Sequence, residues 1–180
     1  MSAAGPEFRK QFLIEARHSL EKHYLPRITR CLKLLSEEDL WWKSHSTSNS
    51  VGNLVLHLSG NVRQWIISGL GGAPAPDVRE RDKEFRELGP IPRRVLAARL
   101  EKTVAEAGRV LGRLTARDLA RERVIQGFRV TGFKAIFHVA EHFAYHAGQI
   151  IFVTKLRRGE DMGFTRLPGE KRKPTRLPPI

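Results

Sequence analysis

The chain has 180 residues, which is enough for one domain with a sizeable buried core. Its 41% hydrophobic and 28% charged content is that of an ordinary globular protein, which argues against a disordered or fibrous chain. A net charge of +13 can attract nucleic acid or other anions, but no base-reading motif accompanies it. We therefore do not expect a nucleic-acid partner.

The sequence also limits the cellular compartment of the protein and the disulfides or thiolate metal sites that it can form. No stretch approaches the roughly 20 apolar residues that cross a bilayer, and the first 20 residues contain no apolar signal core. We expect a cytoplasmic protein without a membrane partner. The single cysteine, Cys31, excludes an internal disulfide and a thiolate metal cage, and its apolar neighbours predict a buried structural thiol.

The first predicted helix runs from about residue 7 to residue 36, because its apolar residues recur at helical spacing. Pro26 falls inside this pattern and should bend or split the helix. Residues 37–48 follow, and their Trp41 and Trp42 suggest a loop that plugs or covers part of the body, rather than a helix face.

The second predicted helix begins at Asn49 or Ser50, which are both favourable N-caps, and ends before Gly69. Polar residues recur along it at spacings of three and four, in otherwise apolar surroundings. They are Asn49, Asn53, His57, Asn61 and Gln64. A buried polar row needs hydrogen-bond partners, so we expect it to face polar residues on another helix.

Two further helices complete the pattern. A charged loop over 73–89 leads to a third helix at about 92–114, which begins favourably at a proline. Residues 116–130 form a connection with at most a short strand or turn around 124–130. The fourth helix spans 132–158. The sequence therefore predicts an all-α fold, a four-helix bundle with a long loop between helices two and three.

The C-terminal end differs from the predicted bundle in composition. Residues 159–180 are basic and rich in proline, with a Lys171-Arg172-Lys173 cluster. Such a segment has little to bury, so we expect irregular structure there. We place the bundle in 1–158 and a basic tail in 159–180.

The fourth helix carries the most informative pattern, three histidines at spacings of four: His138, His142 and His146. Residues four apart lie on one helix face about 6 Å apart along the axis, so two such imidazoles can bind one metal ion. If the polar row of helix two faces this stripe, His57 can reach the same ion. A site with three histidines leaves a coordination position open, as catalytic metal sites do.

A second row on the fourth helix consists of small residues: Ala140, Ala144 and Gly148. Small residues allow a neighbouring backbone to come close, and Phe143 and Ile150 supply bulk beside them. We therefore predict a tightly packed seam next to the histidine stripe.

Two segments of this sequence resemble a known family. Asn53-Leu-Val-Leu-His57-Leu58 and Glu141-His142-Phe-Ala-Tyr-His146-Ala-Gly148-Gln149-Ile150 resemble motifs of the DinB-like superfamily, also described as YfiT-like metal-dependent hydrolases. The resemblance extends from the first helix to about Arg158. It implies a four-helix bundle, often a homodimer, with one metal held by His57, His142 and His146. It leaves His138 as a supporting or core residue.

The resemblance implies a reaction class less specifically than a metal site. Imidazole ligands suit several metals, and we expect a divalent ion, zinc or nickel. Some relatives are transferases or isomerases that use a low-molecular-weight thiol such as bacillithiol or mycothiol. We expect a metal-dependent thiol transferase or hydrolase acting on an unknown small molecule, with no catalytic residue assigned. The candidates for supporting the ligands or positioning a substrate are His138, Asn53, Asn61, Glu141, Tyr145 and Gln149.

Two other functions stay open at this point. A bundle of this kind can bind a metal or ligand without catalysis. The basic charge alone suggests a nucleic-acid-associated stress protein, which we consider the weakest of the three hypotheses.

Overall fold

The computed structural model describes residues 4–73, 79–165 and 169, and most of these residues are helical. The helices are α1 (Ala4–His18), α2 (Leu25–Leu34), α3 (Glu37–Trp41), α4 (Val51–Val62), α5 (Arg81–Arg86), α6 (Arg93–Leu111), α7 (Ala116–Ala120) and α8 (Gly132–Arg158). Two strands, β1 (Glu122–Ile125) and β2 (Phe128–Thr131), form an antiparallel hairpin. Among the described helices, none is both long enough and apolar enough to cross a bilayer.

Four long helical units form the bundle. A π-helical segment, Ser19–Tyr24, joins α1 to α2, and a second one, Arg63–Ser68, extends α4. The joined α1–α2 unit and the α4 unit each pack against both α6 and α8. Fully buried side chains from all four units meet in one core: Leu32, Leu58, Leu100 and Phe143. This arrangement confirms the predicted helical bundle and brings α4 against α8.

The first helix shows how the chain accommodates Pro26. The π-helical segment ends directly before α2, and Pro26 occupies the first turn of α2. Proline lacks an N–H group and its ring clashes with the carbonyl four residues earlier, so a wider turn at this point relieves both problems. The break predicted at Pro26 is therefore a local change of helix type within a continuous unit.

Residues 37–48 were predicted to be a loop that plugs or covers the body, and this prediction was wrong for residues 37–41. Residues 37–41 form α3, and the hydroxyl of Ser36 caps it by accepting a hydrogen bond from the Asp39 N–H at 3.0 Å. Trp41 ends this helix and packs against α4 at Gly52, where a Cβ atom would lie 2.8 Å from the indole ring. Trp41 therefore fixes α3 on the bundle.

The start of α4 confirms the predicted cap and gives Asn53 a structural task. Ser50 and Asn53 form a reciprocal capping box at the N-terminus of α4. The Asn53 side-chain amide also donates to the backbone carbonyls of Glu84, at 2.9 Å, and Glu87, at 2.7 Å. Asn53 thereby ties α5 to α4. The segment 73–89, which was predicted to be a loop, contains the short helix α5. Residues 74–78 of this segment lie outside the described part of the chain.

The connection between α6 and α8 contains more order than a single short strand. Strands β1 and β2 are joined by Gln126 and Gly127, whose φ angles are 54° and 82°. Two consecutive residues with positive φ are characteristic of a type I′ hairpin turn. The Trp65 indole N–H donates to the Gln126 side-chain oxygen at 3.2 Å, which holds the hairpin tip against the end of the α4 unit.

The predicted seam of small residues on α8 was wrong for its last member. A Cβ atom at Gly148 would have no neighbour within 4 Å among the described residues. Phe143 and Ile150 are buried as expected, whereas Phe137 is 56% exposed and Phe152 67% exposed. One side of α8 therefore carries exposed aromatic rings. The expected homodimer stays a prediction.

The first residues of the predicted tail are ordered against α2. Gly159 ends α8 in the left-handed region, with φ of 63°, and Met162 beyond it is buried. Arg27 donates to the Phe164 carbonyl at 3.1 Å, and the guanidinium groups of Arg27 and Arg30 lie over the Phe164 ring. The remaining tail residues, 166–168 and 170–180, lie outside the described part of the chain.

Candidate metal centre

Three histidine rings from two helices converge inside the bundle. His57 comes from α4, whereas His142 and His146 lie one turn apart on α8. The His142 Nε2 atom lies 3.1 Å from the Nε2 atom of His57 and 3.2 Å from that of His146. One ring nitrogen from each of the three side chains lies within 4.8 Å of the other two. The structure thus brings together the three histidines that the family resemblance implied as ligands.

Two of the three rings are held by acceptors on their outer nitrogen. The His57 Nδ1 atom lies 2.9 Å from Glu84 Oε2, and the His146 Nδ1 atom lies 2.7 Å from Gln149 Oε1. An oxygen acceptor keeps the proton on Nδ1 and leaves the inward Nε2 atom with a free lone pair. Converging lone pairs repel one another unless a proton or a cation lies between them.

The nitrogen spacing fits a metal ion. Zinc–nitrogen bonds of 2.0–2.1 Å at tetrahedral angles place neighbouring ligand nitrogens roughly 3.3 Å apart. The two Nε2–Nε2 distances from His142, 3.1 and 3.2 Å, are close to this value. The three imidazoles therefore form a group that could hold a metal ion.

His142 provides a second sign that the rings are neutral. Burial is the largest cause that lowers the pKa of His142 to about 3, and the proximity of His146, His57, His138 and Arg79 acts in the same direction. Its Nδ1 atom is buried and has no hydrogen-bond partner among the described residues. Burial also lowers the pKa of His146. Neutral imidazole is the form that binds a metal ion at neutral pH.

A buried ion pair supports His57 from outside the bundle. The Arg79 guanidinium donates hydrogen bonds to both carboxylate oxygens of Glu84, at 2.8 and 2.7 Å, and to the His57 backbone carbonyl at 3.1 Å. The Arg79 and Glu84 side chains are only 7% and 12% exposed. Burial by itself raises the pKa of Glu84, but hydrogen bonds from His57 and Arg79 outweigh it and the pKa falls below its usual value. Glu84 is therefore a carboxylate at neutral pH.

Gly60 makes room for this ion pair. A Cβ atom at position 60 would overlap the Glu84 carboxylate and lie 2.7 Å from Arg79 Nε. The absence of a side chain lets the Arg79–Glu84 pair lie directly against α4, within reach of His57. Phe85 adds a ring contact, with its centroid 4.5 Å from that of His57.

A cavity of about 540 Å³ opens beside the histidines. It borders His57 and His142, and the hairpin and the end of the α4 unit form its walls. Its other lining residues are Asn61, Trp65, Arg79, Arg81, Gln126, Phe128, Arg129, Val130, Lys134 and His138. A cavity of this volume can hold a small organic molecule next to the His57 and His142 rings.

His138 and Asn61, two candidates for positioning a substrate, line this cavity together. The His138 ring packs on Trp65 with centroids 4.2 Å apart, and its Nε2 atom lies 3.5 Å from the Asn61 amide nitrogen. Burial lowers the pKa of His138, with Lys134 acting in the same direction and Glu141 against it. His138 does not belong to the converging group.

The remaining candidates fall into two groups. Gln149 contacts the site by holding His146, and Asn53 acts at a distance by tying α5 to α4. Glu141 is exposed on α8, and Tyr145 is 64% exposed with its ring 5.1 Å from the His146 ring. The structure gives Glu141 no contact with the three rings among the described residues.

Residues from outside the four long helices also surround the site, and none of them was predicted as a site residue from the sequence. Arg79 and Glu84 lie in the segment predicted as a charged loop, and Gln126 and Phe128 lie in the hairpin. One signal was available. A buried histidine in helix two needs an acceptor on its outer nitrogen, and the charged segment that follows contains several carboxylates.

Solved structures share this fold at low sequence identity. A DinB-like protein from Bacillus cereus is 16% identical, with a TM-score of 0.60 over 75% of this chain and 86% of its own. A conserved protein from Enterococcus faecalis is 14% identical, with a TM-score of 0.62 over 87% and 97%. A DinB-like protein from Bacillus subtilis is 18% identical, with a TM-score of 0.59 over 82% and 91%.

These likenesses confirm the DinB-like fold expected from the sequence. Comparison with curated proteins gives no match. A family model described as "Protein of unknown function (DUF1572)" matches residues 7–171, which begins within α1 and includes the rest of the four long helical units and the first part of the predicted tail. The chain therefore belongs to the DUF1572 family.

Proposed function

We propose that this chain is a metal-dependent enzyme that acts on a small molecule, as a thiol transferase or a hydrolase. His57, His142 and His146 hold one divalent ion, zinc or nickel. The observation that carries this proposal is the convergence of their Nε2 atoms at 3.1 and 3.2 Å. Three neutral acceptors at this spacing are stabilised by a cation among them.

The surroundings favour an open, reactive site over a closed structural one. Structural zinc sites have four protein ligands, whereas the group of possible ligands in the described residues contains three. The neighbouring cavity offers space for a substrate. When bound, a divalent ion supplies Lewis-acid chemistry, which polarises a substrate group or lowers the pKa of a water or a thiol.

The residues of the chain itself would perform three tasks in this enzyme. Glu84 and Gln149 orient the imidazoles and keep their protons on Nδ1. Trp65 and Phe128 supply apolar ring surface to the lining of the cavity. Asn61 and His138 place hydrogen-bonding groups in the cavity wall, where they can orient a substrate.

Elemental analysis of the purified full-length chain tests the proposal. We expect about one equivalent of zinc or nickel per chain. His142→Ala should weaken metal binding by more than the roughly 10- to 100-fold that loss of a supporting group costs, while circular dichroism reports an intact helical fold. His138→Ala is the matched control, because His138 lies one turn away on the same helix and should leave the metal content unchanged.

Each of the other outcomes contradicts the proposal in a recognisable way. If the wild-type protein binds no divalent ion at micromolar concentration, the proposed metal centre is wrong. Equal loss of metal in both histidine variants would show that the ion needs His138 as much as His142, which contradicts the proposed ligand set, and full retention of metal in both would show that the ion lies elsewhere. Unfolding of His142→Ala that added metal does not reverse, together with a folded His138→Ala, would assign the histidines a structural task instead.

A further inference from the structure

The mouth of the cavity carries two cations that have no ionic partner. Arg81 comes from α5 and Lys134 from the first turns of α8. Among the residues that the structure describes, neither side chain has a carboxylate oxygen within 4.0 Å. Arg81 contacts an aromatic face instead, with its guanidinium carbon 4.9 Å from the centroid of Phe85. Phe85 in turn packs on His57.

The charges around the cavity are of one sign. Its lining includes four cationic side chains and no aspartate or glutamate among the described residues. Arg79 is compensated by Glu84, and Arg129 pairs with Glu122 at 3.4 Å on the exposed face of the hairpin. Arg81 and Lys134 therefore keep an uncompensated positive charge. A concave surface with charge of one sign concentrates ions of the opposite sign.

Two aromatic rings line the same cavity. Trp65, which is 4% exposed, and Phe128, which is 62% exposed, are stacked at 26° with centroids 6.4 Å apart, and the Trp65 ring also packs on His138. The Asn61 side-chain oxygen beside them is buried and has no partner among the described residues. Aromatic walls of this kind favour planar apolar groups, and the neighbouring amide offers one polar contact.

We propose that this cavity binds a small organic anion, a carboxylate attached to a flat apolar group. Arg81 and Lys134 attract and hold the carboxylate at the mouth, and the flat group lies against the exposed Phe128 ring, near His57 and His142. This inference names the substrate class of the proposed enzyme and rests on the proposed function for the reaction. The binding of the anion itself requires no metal.

Isothermal titration calorimetry on the full chain tests the proposal with 2-naphthoate as the probe and its neutral amide, 2-naphthamide, as the comparison. The protein is first stripped of metal with a chelator, so that the carboxylate cannot bind through the ion. We expect 2-naphthoate to bind more tightly than 2-naphthamide by about tenfold, because a charge-assisted contact contributes roughly that factor. Its affinity should fall as ionic strength rises.

Three charge-removing substitutions locate the binding site. Arg81→Gln and Lys134→Gln should each weaken 2-naphthoate binding about three- to tenfold and leave 2-naphthamide binding unchanged. Lys102→Gln is the control, because Lys102 is likewise exposed on a helix, has no ion pair among the described residues, and lies away from the cavity. It should bind 2-naphthoate as the wild type does.

The proposal is overturned if 2-naphthoate fails to bind, if the acid and the amide bind equally, or if the cavity variants behave like Lys102→Gln. These outcomes are separate from failure of the metal centre. A chain that contains no metal but binds 2-naphthoate through Arg81 and Lys134 contradicts the proposed function and supports the anion site. A chain that binds one equivalent of metal, but whose 2-naphthoate affinity after removal of that metal is unchanged by both substitutions, supports the proposed function and contradicts the anion site.

Discussion

The two halves of the candidate metal centre are built in different ways. On α8, His142, His146 and Gln149 belong to one regular helix, so helix geometry alone places them beside one another. On α4, His57 depends on Arg79 and Glu84, which lie 22 and 27 residues further along the chain. The first half is local in sequence, whereas the second exists only once the chain has folded.

This difference has an energetic side. The α8 half uses a neutral amide to hold its histidine, whereas the α4 half uses a buried guanidinium and a buried carboxylate. Burying two charges costs desolvation energy, and their pairing offsets it only while both are present. We therefore expect the α4 half to be the more sensitive of the two to single substitutions.

Glu84→Gln should produce the largest effect. The amide keeps the size of the side chain but leaves the Arg79 charge, whose side chain is 7% exposed, without a counter-ion. We expect the free energy of unfolding to fall by about 3 kcal/mol, and metal affinity to fall by about 10- to 100-fold. Urea denaturation and competitive metal titration measure the two quantities.

Glu80→Gln is the control for this substitution, since Glu80 pairs with Lys83 on the surface of the same segment, where the two side chains are 53% and 70% exposed. Exposed pairs contribute at most about 1 kcal/mol. Equal effects of the two substitutions would show that the Glu84 carboxylate does not support His57 in the way described here.

The same contrast explains how much of the molecule could be predicted from the sequence. The long helices, the Ser50 cap and the histidine spacing on α8 depend on residues close together in the chain, so periodicity and capping preferences reveal them. The hairpin wall and the Arg79–Glu84 pair depend on tertiary contacts. A run of charged residues such as 79–87 is usually a solvated surface, and nothing local distinguishes Glu84 from its acidic neighbours.

The row of polar residues on α4 marks the boundary of what spacing can predict. His57 and Asn61 do face the α8 histidines, as expected. Asn53 turns instead to the carbonyls of α5, and Gln64 accepts a hydrogen bond from Arg79 at 3.0 Å. Helical spacing correctly placed these side chains on related faces, but it could not show which neighbour each one would reach.

Acidification should produce the next largest loss of stability, and it acts on the α8 half through His142. The pKa of His142 is about 3 in the folded chain, whereas an unfolded histidine has a pKa near 6.5. Below pH 6.5 the unfolded chain binds a proton that the folded one does not, so stability is complete above that pH and falls as the pH decreases. The loss is at most about 1.4 kcal/mol per pH unit, or about 2 kcal/mol at pH 5.

Urea denaturation of the metal-free protein between pH 7.5 and pH 5 measures this loss. His142→Ala removes the titrating ring, so its stability should depend less steeply on pH over the same range. If the wild type and His142→Ala lose stability in parallel, the His142 ring is not a buried neutral group, and the α8 half is more open to water than its geometry indicates.

One pair of glycine substitutions compares the two halves directly, with the smallest expected effect. At Gly60 on α4, a methyl group would overlap the Glu84 carboxylate, whereas at Gly148 on α8 it would meet nothing within 4 Å among the described residues. Overpacking typically costs about 1–3 kcal/mol, and replacing a helical glycine by alanine returns about 0.5–1 kcal/mol. Gly60→Ala should therefore lose about 1 kcal/mol in net stability, and Gly148→Ala should gain up to about 1 kcal/mol.

Metal affinity makes this pair more informative than stability alone. Gly60→Ala should also weaken metal binding, because the displaced carboxylate no longer holds His57, while Gly148→Ala should bind metal as the wild type does. Stabilisation of both variants would mean that the Arg79–Glu84 pair moves aside at no cost and does not set the position of His57. Opposite signs at the two glycines would show that the α4 half of the site depends on the close approach of a distant segment, whereas the α8 half depends on its own helix.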